Sequence, residues 1–292
     1  MPTEGLPLRI RSLGDLAHRQ LVEPGIRLQV AAVFDRVVYL SCEPRDAVVD
    51  FPHPGMVVLS HPDIPPGPLN ITLNRWPDWS ALTVHDRVQS DSHALNLCGH
   101  QLVHAGLPLW GSCPDWQSLP PIGGLADALH VGVSECEHSS AFLALLYGSE
   151  TLSTSRLGRT LDRLGEGLFA SDERLVRQGA EELAGLGRGL TPAGDDFLCG
   201  LMVALWYRGL AAQTPVCNWL YSSAAPRTTR LSAAFLSCAS VGALNQSWLD
   251  FVQWLPNFSA EHLSGKLAPL LAVGHSSGAD MLAGFAWGLK PA

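Results

Sequence analysis

Hydrophobic and polar positions follow two different rhythms along this chain. Up to about residue 90 the apolar residues come in short runs. Ile26-Arg27-Leu28-Gln29-Val30 alternates apolar with polar, and Val37-Val38-Tyr39-Leu40 follows the polar pair Asp35-Arg36. Ala47-Val48-Val49, Met56-Val57-Val58-Leu59 and Leu69-Asn70-Ile71-Thr72-Leu73 come next, with Pro44, Pro52, Pro54-Gly55 and Pro65-Pro66-Gly67 as breaks. Short strands at this spacing, without helical stretches between them, predict an antiparallel sheet or small barrel.

From about residue 91 the period lengthens. Asp91-Ser92 is expected to cap a helix carrying Ala94, Leu95, Leu97, Leu102 and Val103. A Gly/Pro-rich passage, Gly106 to Gly124, follows without a regular period. After it, helical spacing predicts helices over roughly 138–148, 154–167, 172–185, 192–210, 228–242, 245–255, 259–272 and 277–289. The fold class is therefore α+β: a strand-rich region over 1–90 and a mainly helical region over 91–292.

One stretch stands out within the helical part. Gly185-Leu186-Gly187-Arg188-Gly189-Leu190-Thr191-Pro192-Ala193-Gly194-Asp195-Asp196 runs directly into the apolar Phe197-Leu198-Cys199-Gly200-Leu201. Thr191 is the expected N-cap and Pro192 the first helical residue, so a flexible loop delivers the chain to a helix start with free N–H donors. Such an end suits an anion. A dinucleotide fingerprint needs a strand before its glycines, whereas Glu181-Glu182-Leu183-Ala184 reads as helix; a Walker loop ends in Gly-Lys-Ser/Thr, and this one ends in Gly194-Asp195-Asp196. A well-capped helix–helix connection is the plain alternative, but each glycine costs backbone entropy, which favours close approach of a ligand to Gly187, Gly189, Leu190 and Thr191.

The pattern Gly-x-Asp-apolar-Leu-small-Gly occurs twice, as Gly194–Gly200 and as Gly278–Gly284, the second after Gly274-His275-Ser276-Ser277. Two amphipathic helix starts share much of this by chance, but packing alone does not require the aspartate. The repetition predicts that both starts face one pocket, with Asp196 and Asp280 in it. Adjacent helical residues point about 100° apart, so Asp195 is expected to have a different role from Asp196, capping or pairing with an arginine. Two carboxylates would suit a ligand carrying N–H donors, such as a carbamoyl or amide group, or a divalent cation bridging to an anion.

Arg227-Thr228-Thr229-Arg230-Leu231-Ser232 opens another helix. An arginine in a first turn opposes the helix dipole, so Arg230 calls for a partner, either a carboxylate of this chain or an anionic ligand. Thr229, Ser232, Ser276, Ser277 and Gly278 complete the candidate binding set. His275, between glycines before the second start, is a candidate proton-transfer residue or a capping histidine. His100 and His104 have a metal-compatible spacing, but without HExxH a satisfied or surface pair is the better reading. Cys199 is expected to pack.

Composition narrows the partners. The chain has 292 residues, 47% hydrophobic and 16% charged, with a net charge of −8. A mean hydropathy of +0.14 and a pI near 5.7 go with this. Nucleic acid is excluded for want of a basic face. The low charged fraction predicts a surface partly covered by other chains, in a homo-oligomer or a complex. Seven scattered cysteines without a CxxC pair, and no apolar leader, predict reduced thiols in the cytoplasm. The longest apolar run, Phe197 to Leu205, is too short to span a bilayer, so no membrane role is expected.

Three separated segments, Gly187–Gly200, Thr228-Thr229 with Ser232, and Leu271–Asp280, together resemble the AllH-like family. The resemblance is close in the C-terminal half and general in the N-terminal half. It implies a subunit of an oxamate carbamoyltransferase of anaerobic allantoin and purine breakdown, which passes a carbamoyl group between oxalurate and phosphate to give oxamate and carbamoyl phosphate. It also implies other subunits, and it assigns no catalytic residue. A non-catalytic subunit binding a small carboxylate or anion, and a metal-dependent hydrolase using the aspartates, are the other readings. No cofactor is identified beyond that divalent metal.

Overall fold

The computed structural model describes residues 7–43, 55–134, 140–147 and 155–290; the strand expected at 47–49 lies outside them. The chain folds into two compact units, Met1–Ser112 with Leu244–Gln246, and Cys113–Ala243 with Ser247–Ala292.

Among the described residues the first unit has nine strands: β1 (Ile10–Gly14), β2 (Arg27–Val33), β3 (Val37–Glu43), β4 (Met56–Ser60), β5 (Asn70–Leu73), β6 (Arg87–Ser90), β7 (Ala94–Leu97), β8 (His100–Val103) and β9 (Leu109–Trp110). They form one sheet in the order β8-β7-β6-β2-β3-β4-β5-β1-β9, so β8 and β9 are its edges. All neighbours are antiparallel except β4–β5 and β1–β9. The parallel β4–β5 pair is reached through the proline-rich stretch 61–69 instead of a helix. Alternation does what it predicts: Leu28, Val30, Val38 and Leu40 are buried, with Leu59, Ile71 and Leu73 in the same core. Helix α1 (Asp15–Val22), not anticipated, tucks in Leu16, Ala17 and Leu21. Its buried Gln20 exchanges two hydrogen bonds with the Met56 backbone, at 2.8 and 3.0 Å.

The helix expected after Asp91-Ser92 is instead the β7–β8 hairpin. Its two-residue turn, Cys98-Gly99, has φ of 48° and 74°. Positive φ at both central positions is the turn type that matches the twist of paired strands. Asp91 still accepts from nearby N–H groups, of His93 and Ala94, but to close a turn.

The second unit is helical: α2 (Leu125–Ser134), α3 (Ala141–Tyr147), α4 (Arg156–Ala170), α5 (Glu173–Leu183), α6 (Ala193–Tyr207), α7 (Leu210–Gln213), α8 (Val216–Ala224), α9 (Arg230–Ser240), α10 (Gln246–Trp254), α11 (Ala260–Leu271) and α12 (Ser277–Leu289). Most arise where helical spacing predicts them; α2, α7 and α8 do not. The centre is α6, with all but two of its 15 residues buried. Being apolar on every side, it can only be a core helix. Among the described residues no helix is long and apolar enough to cross a membrane.

Against α6 lies α12, and the two meet through glycine. A Cβ on Gly200 would come within 1.7 Å of the Met281 carbonyl oxygen, and one on Gly284 within 1.9 Å of that of Phe197. Gly288 abuts Ala204 in the same sense. The two helices therefore run parallel, in the register set by the repeated sequence pattern, with their N-termini at one end. Aligned dipoles put like partial charges together at each end. Asp196 and Asp280 offset the positive end, and Arg208 offsets the negative one, donating to the Gly288 carbonyl at 2.9 Å.

Candidate functional site

Both helix starts are built the same way. At the first, Leu186 N–H donates to Leu183 O and Gly194 N–H to Leu186 O; at the second, Val273 N–H donates to Leu270 O and Gly278 N–H to Val273 O. A Cβ on Gly194 or Gly278 would strike the carbonyl of Leu183 or Leu270, at 2.0 and 1.9 Å. Each repeat is thus a helix, a turn and a glycine-seated second helix: α5–α6 and α11–α12. The glycine-rich loop is the longer version of the turn before α12.

Residues from α9 hold that loop in place. Thr229 Oγ1 donates to Leu190 O at 2.7 Å, and Ser232 Oγ approaches the same oxygen at 3.4 Å. Gly187 and Gly189 adopt φ of 111° and 109°, which only glycine enters freely. Leu186, Arg188 and Leu190 are exposed. The helix begins one residue later than the cap expectation: Pro192 occupies the cap position without a side-chain bond. The N–H groups of Asp195 and Asp196 both turn back to Pro192 O, so this start offers fewer free donors than its sequence implies.

Adjacent in sequence, the paired aspartates differ in role. Asp195 is a structural tie. It accepts from Gly185 N–H at 2.9 Å and from Thr228 Oγ1, linking loop, α6 and the approach to α9. Its partners are thus a backbone amide and a hydroxyl, in place of the arginine the sequence suggests. Burial raises its pKa, and hydrogen bonds from Thr228, Gly185 and Ser232 oppose the rise.

Asp196 points to the other helix start. Burial, chiefly, pushes its pKa up to about 7, and the charge of Asp280 adds to the rise, while Ser277 and Thr191 hydroxyls partly counter it. Those hydroxyls also bond each other, at 2.9 Å between Thr191 Oγ1 and Ser277 Oγ. Asp280 is likewise raised by burial and held by Ser140, Ser276 and the Phe142 N–H; the Ser140 Oγ lies 2.6 Å from its Oδ1. The two residues are 9% and 1% exposed. One oxygen of each, Asp196 Oδ2 and Asp280 Oδ2, is buried with no hydrogen-bond partner. Buried acceptors without partners are rare and costly, so two of them, one at each helix start, demand a reason.

The structure therefore brings together Thr191, Asp196, Ser276, Ser277 and Asp280, while Gly194 and Gly278 seat their helices. Leu190, Asp195, Thr229 and Ser232 brace the loop beside them. Arg230 opens α9 on the surface, and His275 is exposed in the turn before α12. Ser140 escapes sequence reading; its only signal is that it caps α3, accepting from Leu143 N–H at 3.0 Å. His100 packs edge-on against Trp79, and buried His104 bonds the Asp91 carbonyl, so the pair serves the hairpin. Cys199 is buried, as expected. Among the described residues no group of three His, Cys, Asp or Glu is arranged to hold a metal. A groove of about 420 Å³ lies at the opposite ends of α6 and α12, lined by Leu161, Phe169, Arg208, Trp287 and Lys290 among others. It is remote from the acids.

These motifs decide the comparison with known proteins. Residues 183–289 match the family model of the oxamate carbamoyltransferase subunit AllH. The AllH match starts at the end of α5 and stops at the end of α12, so it takes in the turn and second helix of the first repeat, the whole of the second, both unpartnered carboxylates and the α9 brace. Ser140 and the strand-rich unit fall outside it. No solved structure matches the chain.

Proposed function

We propose that this chain is a subunit of a carbamoyltransferase that acts on oxalurate or a related small carboxylate with phosphate, and that its part of the reaction takes place where α6 and α12 begin. The observation that carries this reading is the convergence of Asp196 and Asp280, each with a buried oxygen lacking a partner, inside the segment matched by the AllH model. Structural needs account for Asp195; they leave these two oxygens unexplained.

In the forward reaction the carbamoyl carbon leaves a nitrogen of oxalurate and joins an oxygen of phosphate. The C–N bond breaks, a C–O bond forms, and the proton given up by phosphate ends on the oxamate nitrogen. The chemistry needs an anion site, a group that holds the carbamoyl end and a path for one proton. In this reading Arg230 and the loop Gly187–Gly189 receive phosphate or the substrate carboxylate. The Asp196–Asp280 centre holds the transferring end, and His275 carries the proton. Preorganised groups of this kind supply much of the stabilisation in acyl-type transfers. Other subunits complete the enzyme.

Carbamoyl phosphate formation from oxalurate and phosphate, assayed with the chain reconstituted with its partner subunits, tests the proposal. The Asp196→Asn, Asp280→Asn double variant is expected to lose about 100-fold or more in rate. Unchanged activity in a folded double variant overturns the site. Full activity of the other subunits without this chain favours a non-catalytic role.

A further inference from the structure

We propose that the two helix starts hold a hard divalent cation of the Mg²⁺ or Mn²⁺ class between Asp196 and Asp280. The proposal rests on the carbamoyl-transfer reading for its purpose, but not for its evidence. Three features of the centre point to a cation.

The first is the donor set. The groups acting on these carboxylates are the hydroxyls of Thr191, Ser277, Ser276 and Ser140, the Phe142 N–H and, on Asp196, the charges of Asp280 and Asp195. The side-chain donors are oxygen throughout, which is what Mg²⁺ and Mn²⁺ select.

The second is the pair of vacant acceptors. Asp196 Oδ2 and Asp280 Oδ2 are both shut off from solvent and both unbonded. An ionised carboxylate only accepts, so a proton, an N–H or O–H donor, or a cation is what can satisfy it.

The third is symmetry. The repeats carry Asp196 and Asp280 to equivalent places on parallel helices locked by Gly200 and Gly284. Each helix carries one of the two carboxylates, and the charge of Asp280 acts on Asp196 across the tightly packed pair.

The cation also resolves a conflict in the proposed reaction. Two buried carboxylates repel phosphate. Mg²⁺ characteristically takes one or two protein carboxylates and leaves its other positions to water and substrate phosphate.

Mn²⁺ titration of the chelator-stripped full chain, followed by electron paramagnetic resonance and by calorimetry, tests the site. Saturable binding of one Mn²⁺, competed by Mg²⁺, is expected. Asp280→Asn should weaken binding about tenfold or more. Ser277→Ala, which leaves both carboxylates in place, should weaken it less and serves as the variant least disruptive to folding. Absence of saturable binding up to millimolar Mn²⁺ in folded native protein overturns the proposal. Failure of the two readings is separable: Mn²⁺ binding without carbamoyl phosphate formation in the reconstituted enzyme retains the ion site and removes the reaction. Carbamoyl transfer unaffected by metal removal does the reverse.

Discussion

The helix starts at Gly194 and Gly278 share one backbone design and differ in what surrounds it. Both seat a glycine against the carbonyl of the preceding helix, and both direct an aspartate two residues later toward the common centre. Where the first has Asp195, the second has Ala279, which is simply buried. The first has a long loop that needs bracing by Thr228, Thr229 and Ser232; the second has a tight turn closed by Val273 and needs none of it. What the two starts share is therefore the site, and what only the first has is loop support. This separates Asp196 from its neighbour more clearly than sequence spacing does.

The shared backbone is the place where disruption should cost most. Gly200→Ala and Gly284→Ala each drive a methyl group into a backbone carbonyl of the facing helix, which no side-chain adjustment relieves. Each should destabilise the helical unit by about 3 kcal/mol or more, measured by urea unfolding. Gly265 is a control inside α11, where an added Cβ meets nothing within 4 Å. Gly265→Ala should stabilise by about 0.5–1 kcal/mol, because it lowers the entropy of the unfolded chain and favours helix. Similar effects at all three positions would remove the close-packed glycine seam as the basis of the repeat.

The two aspartates at the shared centre should set a pH dependence that runs opposite to ordinary paired carboxylates. Asp196 has its pKa raised, to about 7, first by burial and then by Asp280. A raised folded-state value means that its contribution is fully present below the unfolded value near 4 and is lost as pH rises through 7. Stability in the presence of a chelator should therefore fall between pH 5 and 8. Asp196→Asn, which mimics the neutral form, should flatten that slope and gain on the order of 2 kcal/mol over the native chain at pH 8. Thermal denaturation across this range checks it; a native stability that rises over the same interval would contradict the raised pKa.

Legibility in the sequence follows how local the cause is. The repeat is readable because glycines and an aspartate at fixed spacing on a helix are local facts, and the helices from 154 onward, α7 and α8 excepted, announce themselves by period. The hairpin over 94–103 reads wrongly as a helix because Leu95, Leu97, Leu102 and Val103 fit a helical face as well as two strand faces. The deciding residues are Cys98-Gly99, whose positive φ values a sequence does not display. The sheet order, with β1 between β5 and β9, depends on pairings between distant segments. Ser140 is hidden for the same reason: its hydroxyl meets Asp280 across 140 positions of sequence.

Asp195 gives the sharpest local contrast with Asp196. Asp195→Ala strands the Gly185 N–H and the Thr228 hydroxyl in a partly buried place, so it should cost about 2 kcal/mol and loosen the loop. Hydrogen exchange at Gly185–Leu190 should quicken, while Mn²⁺ affinity changes little. Asp196→Asn should show the reverse pattern, with the loop unchanged and Mn²⁺ affinity reduced. If both variants loosen the loop equally, the division of labour between neighbouring aspartates is wrong.

The smallest expected effect concerns the one difference between the two carboxylates themselves. Asp280 has a short bond from Ser140 at the start of α3, whereas Asp196 is held by Thr191 and Ser277 from the two starts. Ser140→Ala removes the donor and also the cap of α3, since Ser140 Oγ accepts from Leu143 N–H. Losing a cap alone costs about 1 kcal/mol. Losing a hydrogen bond that lowers the Asp280 pKa should raise it further, shifting the pH fall of stability in the helical unit to a different midpoint. Ser140→Thr keeps the hydroxyl and should restore both. A loss of stability with an unmoved midpoint in Ser140→Ala would assign Ser140 to the cap alone, and the two repeats would then present equivalent carboxylates to whatever lies between them.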